Sequence, residues 1–544
     1  MPRVTINSIW GGIAPARYFV GDSQYLAGIG IDPDLPISDA VGDKQTSGAI
    51  RPAGYSTFSG ATLNDHALWL MTTPKTSLLY AYLKSGRLLS YDSSFGSETN
   101  IGTPTSGVGN GLAYYNNYAY LSTPTDVARY GPLDGAAALT NTVWSGATLG
   151  SQTALVNWTA PSLRGSGVMP NHVLHPHIDN KLYILDFDST SVTVANRGRG
   201  LIHFIKTKYG SAEGDTNDVS TYNALDLPLG FMPVCSESYG TDIVVGAIQT
   251  TNSTFNQGRA ALFFWDTLSS SFRDPVVWLA DPLVTALRNV NGNLYVFSGP
   301  ISTGSDVSNG FRVSLYGGGY SLQQVYFSDV GAPPLHGAVD SFGDRLAWGG
   351  FTQIPSTTAA SPEYYAGVFA LGSKNQLFSN GVHFIINSRA TATAADGLVT
   401  ALKNVQQASY ASPRFVLGWR DSGAYGLDKQ GTTYGTTIFR SQIFNVNQPF
   451  ALERIRFSLP TPVATNMTIT PKFFIDDFSS SSTNGLKVIN TTNYPAAKNY
   501  RNILQVPKIS GNHNFCLELR CTGTVLLPVL LPIQIDFKLL QDTK

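Results

Sequence analysis

Apolar and polar residues alternate wherever the chain shows a regular pattern, and Gly or Pro interrupts nearly every window in which a helix could form. Alternation with period two places successive side chains on opposite faces of a strand. The pattern therefore predicts many short β-strands joined by polar turns, and the predicted fold class is all-β. Segment 396–405, DGLVTALKNV, is the exception, because its leucine and valine spacing fits either a short helix or a turn followed by a strand.

A weak repeat runs through residues 56–430, in which a turn rich in Asn, Gly, Asp or Ser precedes an aromatic-rich strand of the type x-L-Y-h-h. Four strands of about 5–6 residues with their turns occupy roughly 40–50 residues, the size of one propeller blade. We predict a β-propeller of about seven blades, with six as the alternative count, and an irregular series of sandwich hairpins as the competing interpretation. Seven copies align at spacings of 49 to 71 residues, at Trp69, Tyr118, Tyr183, Val245, Tyr295, Trp348 and Trp419.

Composition changes near residue 430, after the turn-rich stretch 426–435. Short strands with alternating apolar and polar residues follow this point, and such strands form two sheets that share one core in a β-sandwich. Residues 431–544 are therefore predicted to form a C-terminal jelly-roll-like β-sandwich. Six or more strands are expected there, and the six that the pattern shows lie at 443–446, 452–457, 467–474, 486–490, 515–520 and 533–539.

The charge balance changes the range of partners to be expected. Lys plus Arg equals Asp plus Glu, 36 against 36, and only 13% of residues are charged. A basic footprint for nucleic acid or an anionic membrane is absent from the overall composition, so no specific nucleic-acid site is predicted. The N-terminus lacks a charged region followed by an apolar one, which predicts no secretory signal and synthesis in a cytoplasm.

Two further features limit the class of protein. The longest apolar stretch, Val525 to Ile535, contains two prolines and is too short to span a bilayer, so no membrane segment is predicted. The three cysteines, Cys235, Cys516 and Cys521, match neither a disulfide framework nor a zinc spacing.

The most enzyme-like cluster is the segment 171–179. In a strand, His175, His177 and Asp179 would share one face, which is compatible with a metal site. Pro176 argues against a regular strand, and no matching cluster stands out elsewhere. Histidines of a loop or a blade top are therefore the favoured interpretation, and neither a metal ion nor a cofactor is predicted.

Glycoside hydrolysis requires a pair of carboxylates, and the sequence contains two candidate pairs. The pair Asp186 and Asp188 and the neighbours Asp476 and Asp477 are more typical of turns or solvated strand edges. Residues 90–94, SYDSS, begin like the Asp-box of sialidase-like propellers but lack its glycine. Residues 196–200, NRGRG, fit a solvated turn better than an anion site. Nucleophile-elbow, phosphate-loop and H-E-x-x-H motifs are missing as well, so no catalytic residue is predicted and the chain is not expected to be an enzyme.

Residues 1–55 are predicted to form an extended N-terminal arm, since they have too little apolar periodicity for a domain of their own. They contain Gly11-Gly12, the step Asp22-Ser23-Gln24 and the sequence GAIRPAGY at 48–55. This order before a propeller resembles bacteriophage tail and virion structural proteins, including the tail nozzle proteins of short-tailed phages. The resemblance covers residues 1–60 by motif and the rest by architecture, and the separate C-terminal sandwich departs from the nozzle pattern.

The resemblance implies a homo-oligomeric virion tail protein, nozzle or hub-like, that is assembled in the host cytoplasm and binds copies of itself and neighbouring tail proteins. Apolar arm residues must be covered by the chain itself or by a neighbouring subunit, and the sequence leaves both open. The candidate assembly contacts are Trp10, Ile13, Tyr18 and Phe19. Two alternatives to a structural role remain: a receptor-binding spike or fibre that recognises host glycans, and a propeller glycoside hydrolase.

Overall fold

The structure, a computed structural model, is almost entirely β and includes one short 3₁₀ turn at His336–Ala338 within the part it describes. That part consists of residues 2–9, 11–14, 23–32, 37–38, 44–45, 54–57, 63–104, 109–123, 127–144, 172–188, 198–206, 219–249, 259–300, 310–328, 333–354, 363–372, 381–387, 397–405, 414–421, 424–430, 433–434, 436–459, 467–476, 481–482, 489–490, 501–523 and 530–540.

Five consecutive segments each form a four-stranded antiparallel sheet in which chain neighbours are also sheet neighbours. We call these sheets blades 1–5. Blade 1 contains Ala67–Thr72, Leu79–Leu83, Leu88–Tyr91 and Glu98–Gly102. Blade 2 contains Leu112–Tyr115, Tyr118–Ser122, Val127–Gly131 and Ala138–Trp144. Blade 3 contains Val173–His177, Lys181–Asp188, Arg199–Lys206 and Val219–Asp226. Blade 4 contains Phe231–Tyr239, Asp242–Gln249, Ala260–Trp265 and Val277–Trp278. Blade 5 contains Leu283–Val290, Asn293–Gly299, Phe311–Gly318 and Ser321–Ser328.

Blades 6 and 7 take strands from the N-terminal segment. Blade 6 contains Val339–Phe342, Arg345–Ile354, Glu363–Leu371 and Val382–Asn387, and its edge is extended by Gly12–Ile13 and Gln24–Tyr25. Blade 7 contains Leu398–Val405, Arg414–Asp421 and Ala424–Gln430, and its fourth strand is Gly54–Thr57, on which Thr433–Tyr434 also pairs. Residues 398–405 therefore form a strand, which decides between the two interpretations of that segment.

The first strands of the seven blades contact one another in a closed cycle, from blade 1 through blade 7 and back to blade 1. Sheets arranged radially around a common axis are a β-propeller, so the predicted propeller is confirmed. The ring is closed by pairing of Gly54–Thr57 with Ala424–Gln430. A strand from the N-terminal side thus completes the blade that lies last in the chain.

The turn-plus-strand repeat corresponds to one place in each blade. Six of the seven aligned residues lie in the second strand of their blade, and Trp69 lies in the first strand of blade 1. In blades 2–6 the turn before the second strand contains a residue of positive φ, such as Asn117 at 67°, Asn180 at 58° and Gly292 at 82°. Asn and Gly tolerate this left-handed backbone, which is why the turn residues recur in the sequence.

C-terminal strands form two sheets that also include N-terminal strands. One sheet has the order Arg3–Ile6, Leu530–Leu539, Phe450–Ser458 and Arg501–Gly511. The other has the order Ala27–Ile29, Thr437–Arg440, Asn514–Gly523, Met467–Ile475 and Ser481–Ser482, with Phe444–Asn445 and Ile489–Asn490 as side pairings. A further hairpin, Ile37–Ser38 with Lys44–Gln45, pairs only with itself among the described strands.

The two C-terminal sheets share one hydrophobic core, which includes Ile455 and Ile535 from one sheet and Phe473 and Phe515 from the other. The N-terminal Ile6 belongs to the same core. Strand 501–511 was missed from the sequence because its lysine, proline and glycine interrupt the alternation. It lies at a sheet edge, where a proline is tolerated since no neighbour needs its N–H.

Blade 6 adjoins the C-terminal sheets through buried polar contacts. Arg345 of blade 6 donates to Asp32 at 3.0 Å, with both side chains almost fully buried. The hydroxyl of Tyr25 hydrogen-bonds Nδ1 of His383 at 2.8 Å. Arg520 donates to both carboxylate oxygens of Glu363, at 3.0 and 3.1 Å. These contacts tie the propeller, the N-terminal segment and the C-terminal sheets together.

Candidate functional site

Five polar residues occupy equivalent positions around the propeller axis. His175, Glu237, Arg288, Asp340 and Lys403 each lie two residues before the end of the first strand of blades 3, 4, 5, 6 and 7, respectively. Since first strands of neighbouring blades run side by side around the axis, equal offsets bring these side chains to a similar level. We call Glu237, Arg288, Asp340 and Lys403 the charged ring.

Ion pairs in the charged ring connect neighbouring blades. Arg288 contacts the carboxylate of Asp340 and lies 3.6 Å from a carboxylate oxygen of Glu237. Nζ of Lys403 lies 3.4 Å from Asp340. Acidic residues of blades 4 and 6 thus alternate with basic residues of blades 5 and 7, and each contact crosses a blade boundary. A partly buried alternation of this kind offsets the cost of placing four charges near the axis.

Two asparagines repeat this bridging one residue further along. The side-chain amide of Asn289 donates to the carbonyl of Ser238 at 2.9 Å, and that of Asn404 donates to the carbonyl of Ser341 at 3.0 Å. The backbone N–H of Asn404 also donates to Asp340 at 2.8 Å. Blades 5 and 7 therefore each contact the preceding blade through a basic side chain, which forms an ion pair, and through the asparagine that follows it, which donates a hydrogen bond.

The charged ring and its two asparagines have a signal in the sequence that the aromatic repeat did not reveal. Residues 284–290 read VTALRNV and residues 399–405 read VTALKNV, so the two first strands are identical except at Arg288 and Lys403. The preceding blades carry an acidic residue followed by serine at Glu237-Ser238 and Asp340-Ser341. A search for short repeats, in addition to the aromatic pattern, would have found the ring.

The two carboxyl groups of the ring differ in their proton affinity. Burial raises the pKa of Glu237, and Arg288 opposes this shift only in part. Burial also acts to raise the pKa of Asp340, but Lys403, Arg288 and two backbone N–H groups together hold it below its usual value. Asp340 is therefore the firmly ionised member of the pair.

Three histidines lie close to the ring. Nε2 of His175 and Nδ1 of His177 approach the hydroxyl of Ser238 at 3.0 and 3.1 Å. Desolvation, followed by the proximity of His177, lowers the pKa of His175 to about 3. Desolvation, followed by Arg288, lowers that of His336 to about 4. Both His175 and His336 are thus neutral at neutral pH.

The predicted shared face of the histidine cluster holds for two of its three members. The rings of His175 and His177 lie 5.6 Å apart, whereas Asp179 accepts from Tyr183 at 2.7 Å and pairs with Lys181 at 2.8 Å. The expectation that Pro176 excludes a regular strand is wrong, because Val173–His177 forms one. It is the edge strand of blade 3, where a missing N–H is tolerated.

Innermost strands of all seven blades line a cavity of about 300 Å³. The first strands enclose a central channel around the propeller axis. The turn His336–Ala338, between blades 5 and 6, contacts the first strands of blades 5, 7 and 1 and so lies across this channel. Gly337 allows this approach, since a Cβ there would lie 2.1 Å from the carbonyl oxygen of Leu68. The turn brings His336 to the wall of the cavity.

The other acidic candidates have local partners. Asp186 is fully buried in blade 3, with His172 at 3.1 Å and His203 at 3.5 Å. The backbone of Asp188 lies in register opposite that of Arg199 in blade 3. Asp476 accepts three backbone N–H groups, from residues 512, 513 and 514, as a turn former does.

Asp92, in the segment resembling an Asp-box, also caps its own turn and accepts from the backbone N–H groups of Ser94 and Gly96. In the segment 196–200, Arg199 is the first residue of the third strand of blade 3, not part of a turn, and it pairs with Asp226 at 3.0 Å on the surface. Asp477 and Arg197 lie outside the described residues.

Of the four predicted assembly contacts, Ile13 lies within the described residues. Ile13 is half-buried and packs against the core of the C-terminal sheets and against that of blades 5 and 6. Trp10, Tyr18 and Phe19 lie outside the described residues, and their role stays a prediction.

Within the described part of the chain, no group of three or more His, Cys, Asp or Glu side chains could hold a metal ion. Cys235, Cys516 and Cys521 are buried free thiols. None of the helices that the structure describes is long and apolar enough to cross a membrane.

No protein-family model matches the sequence, and no curated protein matches it. Solved structures similar to the chain include the N-terminal domain of Nup159, at 10% identity and a TM-score of 0.38, covering 74% of this chain and 99% of that one. The Neurospora crassa Pan2 WD40 domain is 9% identical, with a TM-score of 0.40, and the match covers 70% of this chain and 97% of that domain. The Myceliophteria thermophila Cps50 (Swd1) beta-propeller domain is 11% identical, with a TM-score of 0.38, covering 70% of this chain and 100% of that domain. The assignment of a β-propeller to this chain rests on its own strand pairing.

Proposed function

We propose that this chain is a structural component of a bacteriophage virion, a homo-oligomeric tail protein that offers docking surfaces to its neighbours. The observation that carries the proposal is the course of the N-terminal segment whose motifs resemble tail proteins. Its described strands, between residues 3 and 57, pair with both C-terminal sheets, with blade 6 and with blade 7. A protein that transmits force between neighbours in a particle needs domains that do not separate. Here the strands of the N-terminal segment join the propeller to the C-terminal sheets.

We propose further that the C-terminal unit is a jelly-roll-like β-sandwich. Its eight principal strands in chain order are Arg3–Ile6, Thr437–Arg440, Phe450–Ser458, Met467–Ile475, Ser481–Ser482, Arg501–Gly511, Asn514–Gly523 and Leu530–Leu539. Numbered one to eight, they have the order 1-8-3-6 in one sheet and 2-7-4-5 in the other. This order supports a jelly roll whose first strand comes from the N-terminal segment, a fold that occurs in viral capsid proteins and lectins. The capsid link is an analogy of fold alone.

Electrostatics in the channel favour a scaffold over a glycoside hydrolase. Hydrolysis by two carboxyl groups needs one that donates a proton and one that is free to act on the substrate. Here the guanidinium of Arg288 contacts Asp340 and lies 3.6 Å from Glu237, so both carboxyl groups have the same base as a neighbour. Lys403 adds a second positive charge beside Asp340. The charges of the ring thus contact one another across blade boundaries, and both carboxyl groups are engaged by bases.

Mass spectrometry of purified particles tests the proposal directly. We expect the chain to be present in stoichiometric amounts in particles from cells that express its gene. Its absence from such particles would overturn the virion assignment.

The assembly contact can be tested separately. Trp10→Ala is expected to lower oligomer mass and incorporation, because a buried aromatic anchor contributes about 2 kcal/mol or more to such a contact. The matched variant Ile13→Ala removes an apolar side chain that packs within the chain, so it is expected to lower the unfolding free energy and leave the oligomer mass unchanged. Light scattering after size exclusion distinguishes the two, and equal oligomer mass for Trp10→Ala and wild type would contradict the assembly role.

A further inference from the structure

The channel cavity has two walls of different chemistry. Blades 1–3 contribute a mainly apolar and aromatic wall, with Trp69, Leu112, Tyr114 and Leu174. Blades 4–7 contribute a polar wall that contains the charged ring, together with Ser236 and His336. A volume of about 300 Å³ lies at the lower end of the range for small-molecule sites. The cavity is therefore large enough for a compact ligand that is apolar on one face and polar on the other.

Four residues that line this cavity each carry a buried polar atom with no hydrogen-bond partner among the described residues. These atoms are Nε1 of Trp69, Oγ of Ser236, Nε of Arg288 and Nδ1 of His336. Buried polar groups in folded proteins are almost always hydrogen-bonded, to protein or to a bound molecule. Because four such atoms belong to residues around one cavity, a bound molecule that both donates and accepts hydrogen bonds would suit this site.

Charge limits the class of occupant further. The two acids and two bases of the ring contact one another and cancel. His175 and His336 are neutral because their burial disfavours the charged form. A ligand with a net charge would have to break an ion pair of the ring to be neutralised, whereas an uncharged one would not.

We propose that the channel cavity binds one neutral sugar ring. A pyranose presents C–H groups on its faces, which suit the Trp69 and Tyr114 wall, and hydroxyl groups at its rim, which both donate and accept. The hydroxyls complete the hydrogen bonding of the four unpartnered groups. The site is independent of the tail assembly role, since it uses residues of the propeller axis and none of the N-terminal segment.

The test is calorimetric titration and saturation-transfer NMR on the full chain, with glucose, galactose, mannose and N-acetylglucosamine as probes. Charged comparison probes are N-acetylneuraminic acid, which is anionic, and glucosamine, which is cationic. Trp69→Phe keeps the ring and removes the N–H, and Arg288→Gln removes the guanidinium. Arg312→Gln is the matched control, because Arg312 lies in the same blade but pairs with Asp281 outside the cavity lining.

We expect at least one neutral sugar to bind in the millimolar range or better. Trp69→Phe should weaken binding about two- to tenfold, the effect of one hydrogen bond. Arg288→Gln should weaken binding about tenfold or more, and Arg312→Gln should leave it unchanged. Circular dichroism melting checks that each variant is folded, and Ser236→Ala replaces Arg288→Gln if the latter does not fold.

Three results would overturn the proposal. One is the absence of binding by every neutral probe, another is tighter binding of a charged probe, and the third is an equal loss of affinity in Arg312→Gln and in the cavity variants. Virion incorporation is measured separately, so a failure of this site leaves the structural role standing, and the reverse also holds.

Discussion

Blades 1–5 and the parts completed by the N-terminal segment differ in how far apart their paired strands lie in the sequence. In blades 1–5 each strand pairs with the next one along the chain. In blade 7 and in the C-terminal sheets, Tyr55 pairs with Gln430 and Arg3 with Asp536. Closing such long loops costs more chain entropy than closing a hairpin, and it slows formation of the contact. Blades 1–5 therefore need only local pairing, whereas the other units depend on a segment that arrives from the far end of the chain.

Deleting residues 2–31 should produce the largest difference in stability between blades 1–5 and the C-terminal sheets. The deletion removes five buried core residues, Ile6, Ile9, Tyr25, Ile29 and Ile31. Burial of one such side chain contributes about 1.5–3 kcal/mol, so the sum is comparable to the stability of a whole domain. We expect the C-terminal sheets to unfold while blades 1–5 keep their strand content. Calorimetry and limited proteolysis should show residues 437–540 lost first.

The matched control for that deletion replaces residues 37–45 with a flexible linker of equal length. Within this range the described strands, Ile37–Ser38 and Lys44–Gln45, pair only with each other. Melting should therefore stay close to that of wild type. Equal melting of the two deletion variants would show that the early strands do not hold the C-terminal sheets.

Removing the buried ion pair between blade 6 and the N-terminal segment should have the next largest effect. Arg345→Met leaves Asp32 buried beside an apolar side chain, which costs about 3–5 kcal/mol of unfolding free energy. The double variant Arg345→Met/Asp32→Leu should recover most of that loss. Arg312→Met is the control, since its pair with Asp281 is partly exposed and contributes about 1 kcal/mol or less. Urea unfolding measures all four chains, and similar losses for Arg345→Met and Arg312→Met would contradict the prediction.

Acid should weaken the joint between blade 6 and the C-terminal sheets. Burial acts to raise the pKa of Glu363, but hydrogen bonds from Arg520 and Tyr365 hold it below its usual value. A carboxyl group whose pKa is lower in the folded state stabilises the fold above its unfolded pKa and loses this contribution as pH falls. Between pH 6 and 3.5, wild type should therefore lose about 1 kcal/mol more than Glu363→Gln. Urea midpoints at the two pH values measure the difference, and parallel losses would show that Glu363 is not involved.

Exchanging the bases of the charged ring should have the smallest effect. Lys403→Arg makes the first strand of blade 7 identical to that of blade 5 over VTALRNV, so the unfolding free energy should change by no more than about 0.5 kcal/mol. Arg288→Lys should cost about 1 kcal/mol, because an ammonium does not reproduce the fork that reaches both Asp340 and Glu237. Urea unfolding compares the two, and a larger loss for Lys403→Arg would show that the two positions are not equivalent.

The parts of the fold that follow from the sequence are the locally paired ones. A positive-φ turn such as Asn180 or Gly292 and an apolar second strand lie within a few residues of each other, so one short window contains the signal. In blade 1 the alignment shifted to Trp69, because ALWLM in the first strand has the same pattern as a second strand. The charged ring was missed for a related reason. Arg288 and Lys403 are ordinary charges in the sequence, and only the equal offsets in the first strands of blades 3–7 bring them to one level.

Local sequence alone determined that the chain is all-β, that a turn followed by an apolar strand recurs along residues 56–430, and that a different unit follows residue 430. Alternation and turn chemistry act over a few residues, and the backbone obeys them wherever the segment lies. Only the tertiary structure decided where Arg3–Ile6, Gly12–Ile13, Ala27–Ile29 and Gly54–Thr57 pair. An edge strand offers the same N–H and C=O groups to any partner, so its choice depends on which open edge and which uncovered core the folded chain presents.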